Sequence, residues 1–343
     1  VKISKNIAMH YKRIFSIPDY SLSFKITSVS HPWAYFATCF QSHTSVCSFQ
    51  QVTKSTPRLR PLRLRNFKEC ALIIFFSLLC SSIGASASSP RYIALADSAD
   101  MLIKSEKWDE AEKTILTALR LEPGNFTNAM LLSNLGIART NLGKTEEAIE
   151  AFNLGLDIAP RSSIIRNNRA RTYIMAGRYD DALSDLNESL EIDSLQLWTR
   201  RMRGLLLLNR NDIDGARKDF NAAISLYPRD ASSLSGLARA CELEGDMKGA
   251  LEKYDRSIEI EDNPETRFSR ILLKINMGDY SAASADITDA IKCFPEVPDF
   301  FIARGYLHRL NFRNEEAKID KKIALDKGAD PQFVDQFIPE NGK

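Results

Sequence analysis

The amino-acid sequence predicts an all-α solenoid of seven helix–turn–helix units, and three observations carry that prediction. The first is a 34-residue period. Ala170 is followed twelve residues later by Ala182, then by Leu186 and Ser189, with Gly177 between the two halves. One period onward the same pattern reads Gly204, Ala216, Phe220, Ala223 and Pro228, and one period back it reads Gly136, Gly143, Ala148, Phe152, Gly155 and Pro160. The second is an alanine recurring at one register position in all seven units: Ala111, Ala148, Ala182, Ala216, Ala250, Ala283 and Ala317. The third is a pair of residues that vary together. Arg169, Arg203, Arg270 and Arg304 are each followed 16 residues later by Asp185, Asp219, Asp286 and Asp320. Where leucine (Leu135, Leu237) or Ser98 replaces the arginine, the later residue is Ala151, Lys253 or Thr114, never aspartate. A fixed period of this length marks a helical repeat array.

The units run 92–125, 129–162, 163–196, 197–230, 231–264, 264–297 and 298–331. Each is expected to form two antiparallel helices. In the third unit these cover about Ile164–Ala176 and Tyr179–Glu191, with Gly177 supplying positive φ in the turn. Ala170 and Ala182 are small enough for close approach, and Leu186 fills the space toward the next unit. A lone pair leaves an apolar face uncovered, so neighbours must stack. The Arg–Asp pattern predicts a shielded, bidentate ion pair between the two helices of one unit. Ile271 stands where Gly or Ala is expected, which predicts a looser or kinked sixth unit. Lys321 replaces the large apolar residue of the other units, a charge expected to solubilise the array end, and Phe333, Val334, Phe337 and Ile338 are expected to fold back as a cap.

The N-terminal region reads differently. Residues 1–87 carry 11 Lys/Arg against 2 Asp/Glu, although the whole chain is only +2; the rest is therefore net acidic. Residues 1–57 show no sustained period and are read either as disordered or as an upstream extension, Val1 not being methionine, with Leu62 and Leu64 as alternative starts. Arg58, Arg60, Arg63, Arg65 and Lys68 precede the uncharged run Cys70–Cys80 and the small-residue exit Ala85-Ser86-Ala87, the three parts of a signal peptide over 58–87. The apolar run is about half of the roughly 20 residues a membrane span needs. Cleavage after Ala87 is the first reading; a retained anchor, or lipidation of Cys80, stays open as a membrane tether. Of six cysteines only Cys241 and Cys293 fall in the repeats, so no disulfide framework is expected. Cys241 reads as a small buried thiol.

The small residues at repeat positions 8 and 27, alanine at 20, large apolar residue at 24 and proline at 32 resemble the tetratricopeptide repeat family, over roughly residues 92–331. The resemblance implies a right-handed superhelix whose first helices line a concave groove. Placed on that groove are Asn134, Asn167, Asn168, Arg171, Trp198, Arg201, Arg239 and Tyr306, a polar, basic and partly aromatic middle. Asparagine amides pair with peptide backbone and arginines with carboxylates, and Trp and Arg are enriched at binding hot spots. The chaperone-binding clamp of the family is not reproduced: Ala96, Asp100, Ser133 and Ile137 stand at its positions.

No cofactor, metal site or catalytic motif is expected. No Cys-x-x-Cys, phosphate loop or nucleophile elbow occurs, and His308, the one histidine of the repeats, sits at a packing position. The net acidic repeat region disfavours nucleic acid. The expected function is a non-catalytic adaptor of a bacterial cell envelope that holds an extended peptide or protein partner in the groove. The alternative is a structural subunit of a larger envelope assembly, using the convex face or the array ends.

Overall fold

The computed structural model describes residues 88–339. The signal-peptide segment, Cys80 and the region before it lie outside the described residues. Among the described residues the chain forms fifteen α-helices and no strand. They pair in order: α1 (Pro90–Lys104) with α2 (Trp108–Leu121), α3 (Asn128–Asn141) with α4 (Thr145–Ile158), and α5 (Ser163–Met175) with α6 (Tyr179–Ile192). Then follow α7 (Leu197–Asn209) with α8 (Ile213–Leu226), α9 (Ala231–Glu244) with α10 (Met247–Ile260), α11 (Pro264–Asn276) with α12 (Tyr280–Cys293), and α13 (Pro298–Leu310) with α14 (Asn314–Asp326). A short α15 (Pro331–Phe337) ends the array.

One turn conformation recurs at the same register position in every pair. Gly143, Gly177, Gly245 and Gly278 have φ of 73°, 73°, 87° and 80°. The remaining three turns force the same left-handed geometry on Glu106, Asn211 and Phe312, at φ of 57°, 63° and 60°. Glycine adopts it freely, whereas a Cβ there meets the following carbonyl. Phe312 gains no packing in exchange, because it is 90% exposed. Phe312→Gly is therefore expected to stabilise the last pair by about 1 kcal/mol, read as a rise in melting temperature; an unchanged or lower value would show that the ring makes a contact worth the strain.

The recurring small residues let large ones interdigitate. Ala111, Ala148, Ala182, Ala216, Ala250 and Ala283 are fully buried. The Phe220 ring lies between Gly204 of its own unit and Gly236 of the next; an added Cβ would sit 2.8 Å and 2.5 Å from it. Phe152 meets Gly136 in the same way, at 2.5 Å. First helices meet directly at α1–α3, α3–α5, α7–α9 and α11–α13, while second helices meet the neighbouring unit chiefly through its first helix. First helices thus crowd on one side, which bends the stack toward them and makes them its inner wall. Acids begin the second helices (Glu146 and Glu147, Asp180 and Asp181, Glu315 and Glu316), where the helix dipole favours them.

The Arg–Asp pairs are present in all four units. Arg169 donates Nε and Nη2 to Asp185 at 2.8 and 2.6 Å, and Arg203 donates the same atoms to Asp219 at 2.7 Å each. Arg304 Nη2 reaches Asp320 at 2.6 Å. The three carboxylates are 2% exposed. Asp219's hydrogen bond raises the Arg203 pKa against the opposing effect of burial. The remaining guanidinium nitrogen reaches back one unit: Arg169 Nη1 donates to Asn153 at 2.5 Å, Arg203 Nη1 to Asn187 at 2.9 Å and Arg270 Nη1 to Asp255 at 2.7 Å. These three arginines therefore bind their own helix pair and the pair before it, while Arg304 holds its own pair alone among the bonds described.

A second series went unread in the sequence. Arg166, Arg200 and Arg267 share a register position three residues before the first series. Arg166 bonds the Pro160 carbonyl at 2.6 Å and Glu188 at 2.7 Å; Arg267 bonds Asp262 at 2.5 Å and Asp289 at 2.6 Å. Arg200 bonds the Ser194 carbonyl at 2.9 Å, but Ala222 occupies the place of the second acid, and Arg200 turns to Asp219 at 3.4 Å instead. The 22-residue spacing to Glu188 and Asp289 was the signal available.

The sixth unit departs as its sequence implies. Ile271 is buried at the position that is glycine or alanine in the other units, and α11 and α12 share the narrowest contact of any such pair. Asp286 is 17% exposed; Arg270 Nε stands 3.1 Å from it, and Lys274 joins at 2.7 Å. The extra methylenes hold the helices apart, and a lysine bridges the gap that one arginine spans elsewhere.

At the C-terminus Phe333, Val334, Phe337 and Ile338 are buried. Lys321 corrects an expectation. It is not a solvated end charge: its side chain is 13% exposed and pairs with Asp335 at 2.5 Å. The end is closed by α15, with Ile338 entering the space over Gly305 that Phe152 and Phe220 fill over Gly136 and Gly204.

Candidate functional site

Residues spaced three and four apart on a helix share one face, and three successive first helices present such a stripe on the inner wall. On α3 it reads Met130, Asn134, Ile137, Asn141; on α5, Ile164, Asn168, Arg171, Met175; on α7, Trp198, Met202, Leu205, Asn209. The asparagines link one helix to the previous one. Asn134 Nδ2 donates to Asp100 at 2.9 Å, and Asn168 Nδ2 to Ser133 Oγ at 3.1 Å. Asn167 donates to Gln196 in the loop before α7. These amides set the spacing of the wall and only secondarily offer bonds to a ligand.

Arg171 is different. It is exposed, and no carboxylate among the described residues pairs with it. Its guanidinium lies over the Trp198 ring, 5.3 Å from the centroid, a cation–π geometry. Desolvation by the surrounding wall pushes its pKa below the ordinary guanidinium value, although it stays charged at any physiological pH. Open surface and desolvation coexist because solvent touches the side chain while neighbouring helices displace bulk water around it. Arg201 pairs loosely with Asp230, at 3.3 Å, and Asp230 also caps α9 by accepting from the Ser233 N–H. Among the described residues, buried Asn167 Oδ1 and Arg201 Nε have no hydrogen-bond partner.

The two remaining sequence-derived groove residues sit elsewhere in the packing. Arg239 is 8% exposed and donates to Glu242 at 2.9 Å; Tyr254 donates to the other Glu242 oxygen at 2.5 Å. Burial pushes the Glu242 pKa up, and Arg239 draws it back. Tyr306 is 7% exposed, covered by Phe337 of α15 at 5.4 Å with the rings at 77°. The structure thus places Asn134, Asn168, Arg171 and Trp198 on the stripes, with Arg171 exposed and the others half-buried, ties Asn167 to Gln196 and Arg201 to Asp230, and leaves Arg239 and Tyr306 beneath side chains. It adds apolar groups that the polar reading passed over: Met130, Ile164 and Met175 are 42%, 56% and 52% exposed. Their signal was apolar residues at the ends of the stripes.

This surface has the makings of recognition: a cation on an aromatic ring, flanking apolar side chains and fixed amides. Among the described residues no three His, Cys, Asp or Glu side chains converge to hold a metal. His308 stands 3.6 Å from Asp320, whose carboxylate Arg304 already holds, and burial pushes its pKa below 6.5.

The stacked pairs and their shared inner face define a helical repeat solenoid. Family models of the tetratricopeptide repeat match residues 129–194 and 201–264. The chain is a tetratricopeptide repeat protein. The Tetratricopeptide repeat protein 36 homolog of Drosophila pseudoobscura pseudoobscura is 40% identical over 96 residues, covering 26% of this chain and 51% of that protein. The BBSome complex member bbs-4 of Caenorhabditis elegans is 22% identical over 202 residues, 56% of this chain and 43% of that protein. The chain thus spans about half the length of the first of these curated relatives. A tetratricopeptide repeat protein from Parabacteroides merdae ATCC 43184 shares the fold, with a TM-score of 0.63 over 73% of this chain and 98% of that one at 24% identity.

Proposed function

We propose that the protein is a non-catalytic interaction scaffold that binds an extended segment of a protein partner across α3, α5 and α7. The observation that carries this is Arg171, an exposed guanidinium on Trp198 with no carboxylate partner among the described residues. A partner carboxylate supplies its missing counter-ion, and partner apolar groups meet Met130, Ile164 and Met175. Such an interface concentrates its energy in the Arg–Trp centre.

The test is retention of a partner from an extract of the native cells by the full chain, against Arg171→Ala and Trp198→Ala. Arg171 is exposed and Trp198 half-buried, so the Arg171 variant is expected to melt with the parent while losing the partner by about tenfold or more, the effect of about 2 kcal/mol at a hot spot. A partner kept equally by both variants sinks this reading.

One observation favours a second reading, a structural subunit. Leu121, Ile158 and Leu226 share one register position at the ends of second helices and are 40%, 42% and 41% exposed, an apolar row along one edge. Serine at all three is the parallel arm; loss of an assembly there, with Arg171→Ala silent, moves the function to that edge. The setting belongs to the same proposal: export through residues 58–87 into a bacterial envelope, or retention there by an anchor or a lipid on Cys80. N-terminal sequencing of the mature protein checks it, with Ser88 as the expected first residue; a mature chain still carrying residues 58–87 without a lipid rejects cleavage.

A further inference from the structure

The inner wall changes character along the array. At the register positions occupied in the third unit by Asn167 and Arg171, the sixth unit carries Phe268 and Leu272 and the seventh carries Ile302 and Tyr306. All four are buried. Part of what buries Phe268 and Tyr306 is α15. Phe337 of α15 stands edge-on to Tyr306 of α13 at 5.4 Å and to Phe268 of α11 at 6.4 Å, two units back. A helix that merely covered the end of the stack would reach the last pair alone. Arg309 of α13 donates Nη1 to the Phe337 carbonyl at 2.8 Å, holding the C-terminal end of α15 by its backbone.

The occupant has the properties of a ligand. Its buried residues Phe333, Val334, Phe337 and Ile338 recur on one face, while Pro331, Gln332 and Asp335 are exposed. Phe333 and Phe337 contact each other at 5.3 Å. Seven residues are too few to hold a helix in water, since a marginal isolated helix needs about 12–15. The order of α15 therefore comes from the surface beneath it. That surface is built on α11, α13 and α14, with Lys321 of α14 pairing to Asp335, and each of these helices is held by its own helix pair. The tether is short, Lys327–Asp330, and turns at Gly328 with φ of 84°.

We infer that the face of α11 and α13 beneath α15 is a binding site for a short amphipathic helix with aromatic residues four apart, and that residues 331–338 are its displaceable occupant in cis. Selectivity comes from Phe268 and Tyr306, which take an aromatic edge, and from Arg309, which takes a helix-terminal carbonyl. The short tether gives the cis segment an effective concentration of about millimolar order, so a competing helix binds only when it exceeds that or when the segment is weakened. This site uses different units from the Arg171 face and stands or falls separately from the proposed function.

The probe is a fluorescein-labelled peptide of residues 329–339, added to the full chain and followed by anisotropy. Phe333→Ala/Phe337→Ala in the protein is expected to empty the site and to bind the probe about tenfold or more tighter than the parent, the cis competitor being removed. A probe carrying the same two alanines is expected not to bind. Equal affinity of parent and variant, or binding of the alanine probe, overturns the inference. Because the double variant removes core side chains, a second arm leaves them intact. A protease site between Gly328 and Ala329 is cut in the purified full chain. The labelled peptide is then expected to exchange with the severed segment while helical circular dichroism stays unchanged. Failure to exchange, or loss of helix on cutting, shows that α15 is an integral part of the fold and rejects the site.

Discussion

Asp219→Ala is expected to destabilise the α7–α8 pair by about 3–5 kcal/mol, the cost of leaving a buried charge without its partner. Asp219 is 1% exposed, receives two hydrogen bonds from Arg203 at 2.7 Å and lies 3.4 Å from Arg200. Removing it leaves Arg203 with Asn187 alone, at 2.9 Å, and takes the acid from Arg200 as well. The loss is read from thermal melting together with hydrogen exchange of α7 and α8, since stability in a repeat array is local. The chain contains its own control. The second unit carries Leu135 and Ala151 in place of the pair, and Leu135 is buried without any charge to satisfy. Arg203→Leu combined with Asp219→Ala is therefore expected to recover most of the loss, a coupling that a double-mutant cycle measures directly. A double variant as unstable as Asp219→Ala alone would show that Asp219 acts through something other than Arg203.

The other large effect lies in apolar packing. Phe220→Ala is expected to cost about 3–5 kcal/mol, the range for a fully buried aromatic ring. Phe220 is 1% exposed and fills the gap between Gly204 and Gly236. Both glycines are rigid backbone on helices held by other contacts, so the void cannot close by a side chain swinging inward. The change also falls between two units, and the fourth and fifth are expected to uncouple: exchange protection in α9 drops with that in α8. A fall of less than about 1.5 kcal/mol, the size of a volume-conserving change, would mean that the stack collapses around the cavity.

Phe220 and Asp219 also mark how far the sequence could be read. The ring was legible from its register position between small residues, because a 34-residue period states which side chains repeat between units. The Arg–Asp pair was legible because the two positions vary together at a 16-residue spacing within one unit. The reach of the same arginines back to Asn153, Asn187 and Asp255 was not, since it joins different units and needs a distance across the stack.

The candidate face was legible only in part, and for the same reason. The sequence placed eight residues on the inner wall by register. It could not say which are engaged. Arg171 and Arg239 share one register position, yet Arg239 is held by Glu242 at 2.9 Å while Arg171 lies over Trp198 with no acid among the described residues. Tyr306 shares that position too and is covered by Phe337, from a segment 31 residues further on. By itself the sequence determined the class of fold, the number and order of the helix pairs, the turns and the shielded ion pairs, because each depends on a spacing short enough to repeat. The tertiary structure alone decided which parts of the inner wall are open, because that depends on what the neighbouring helices and the chain's own C-terminal segment set against them.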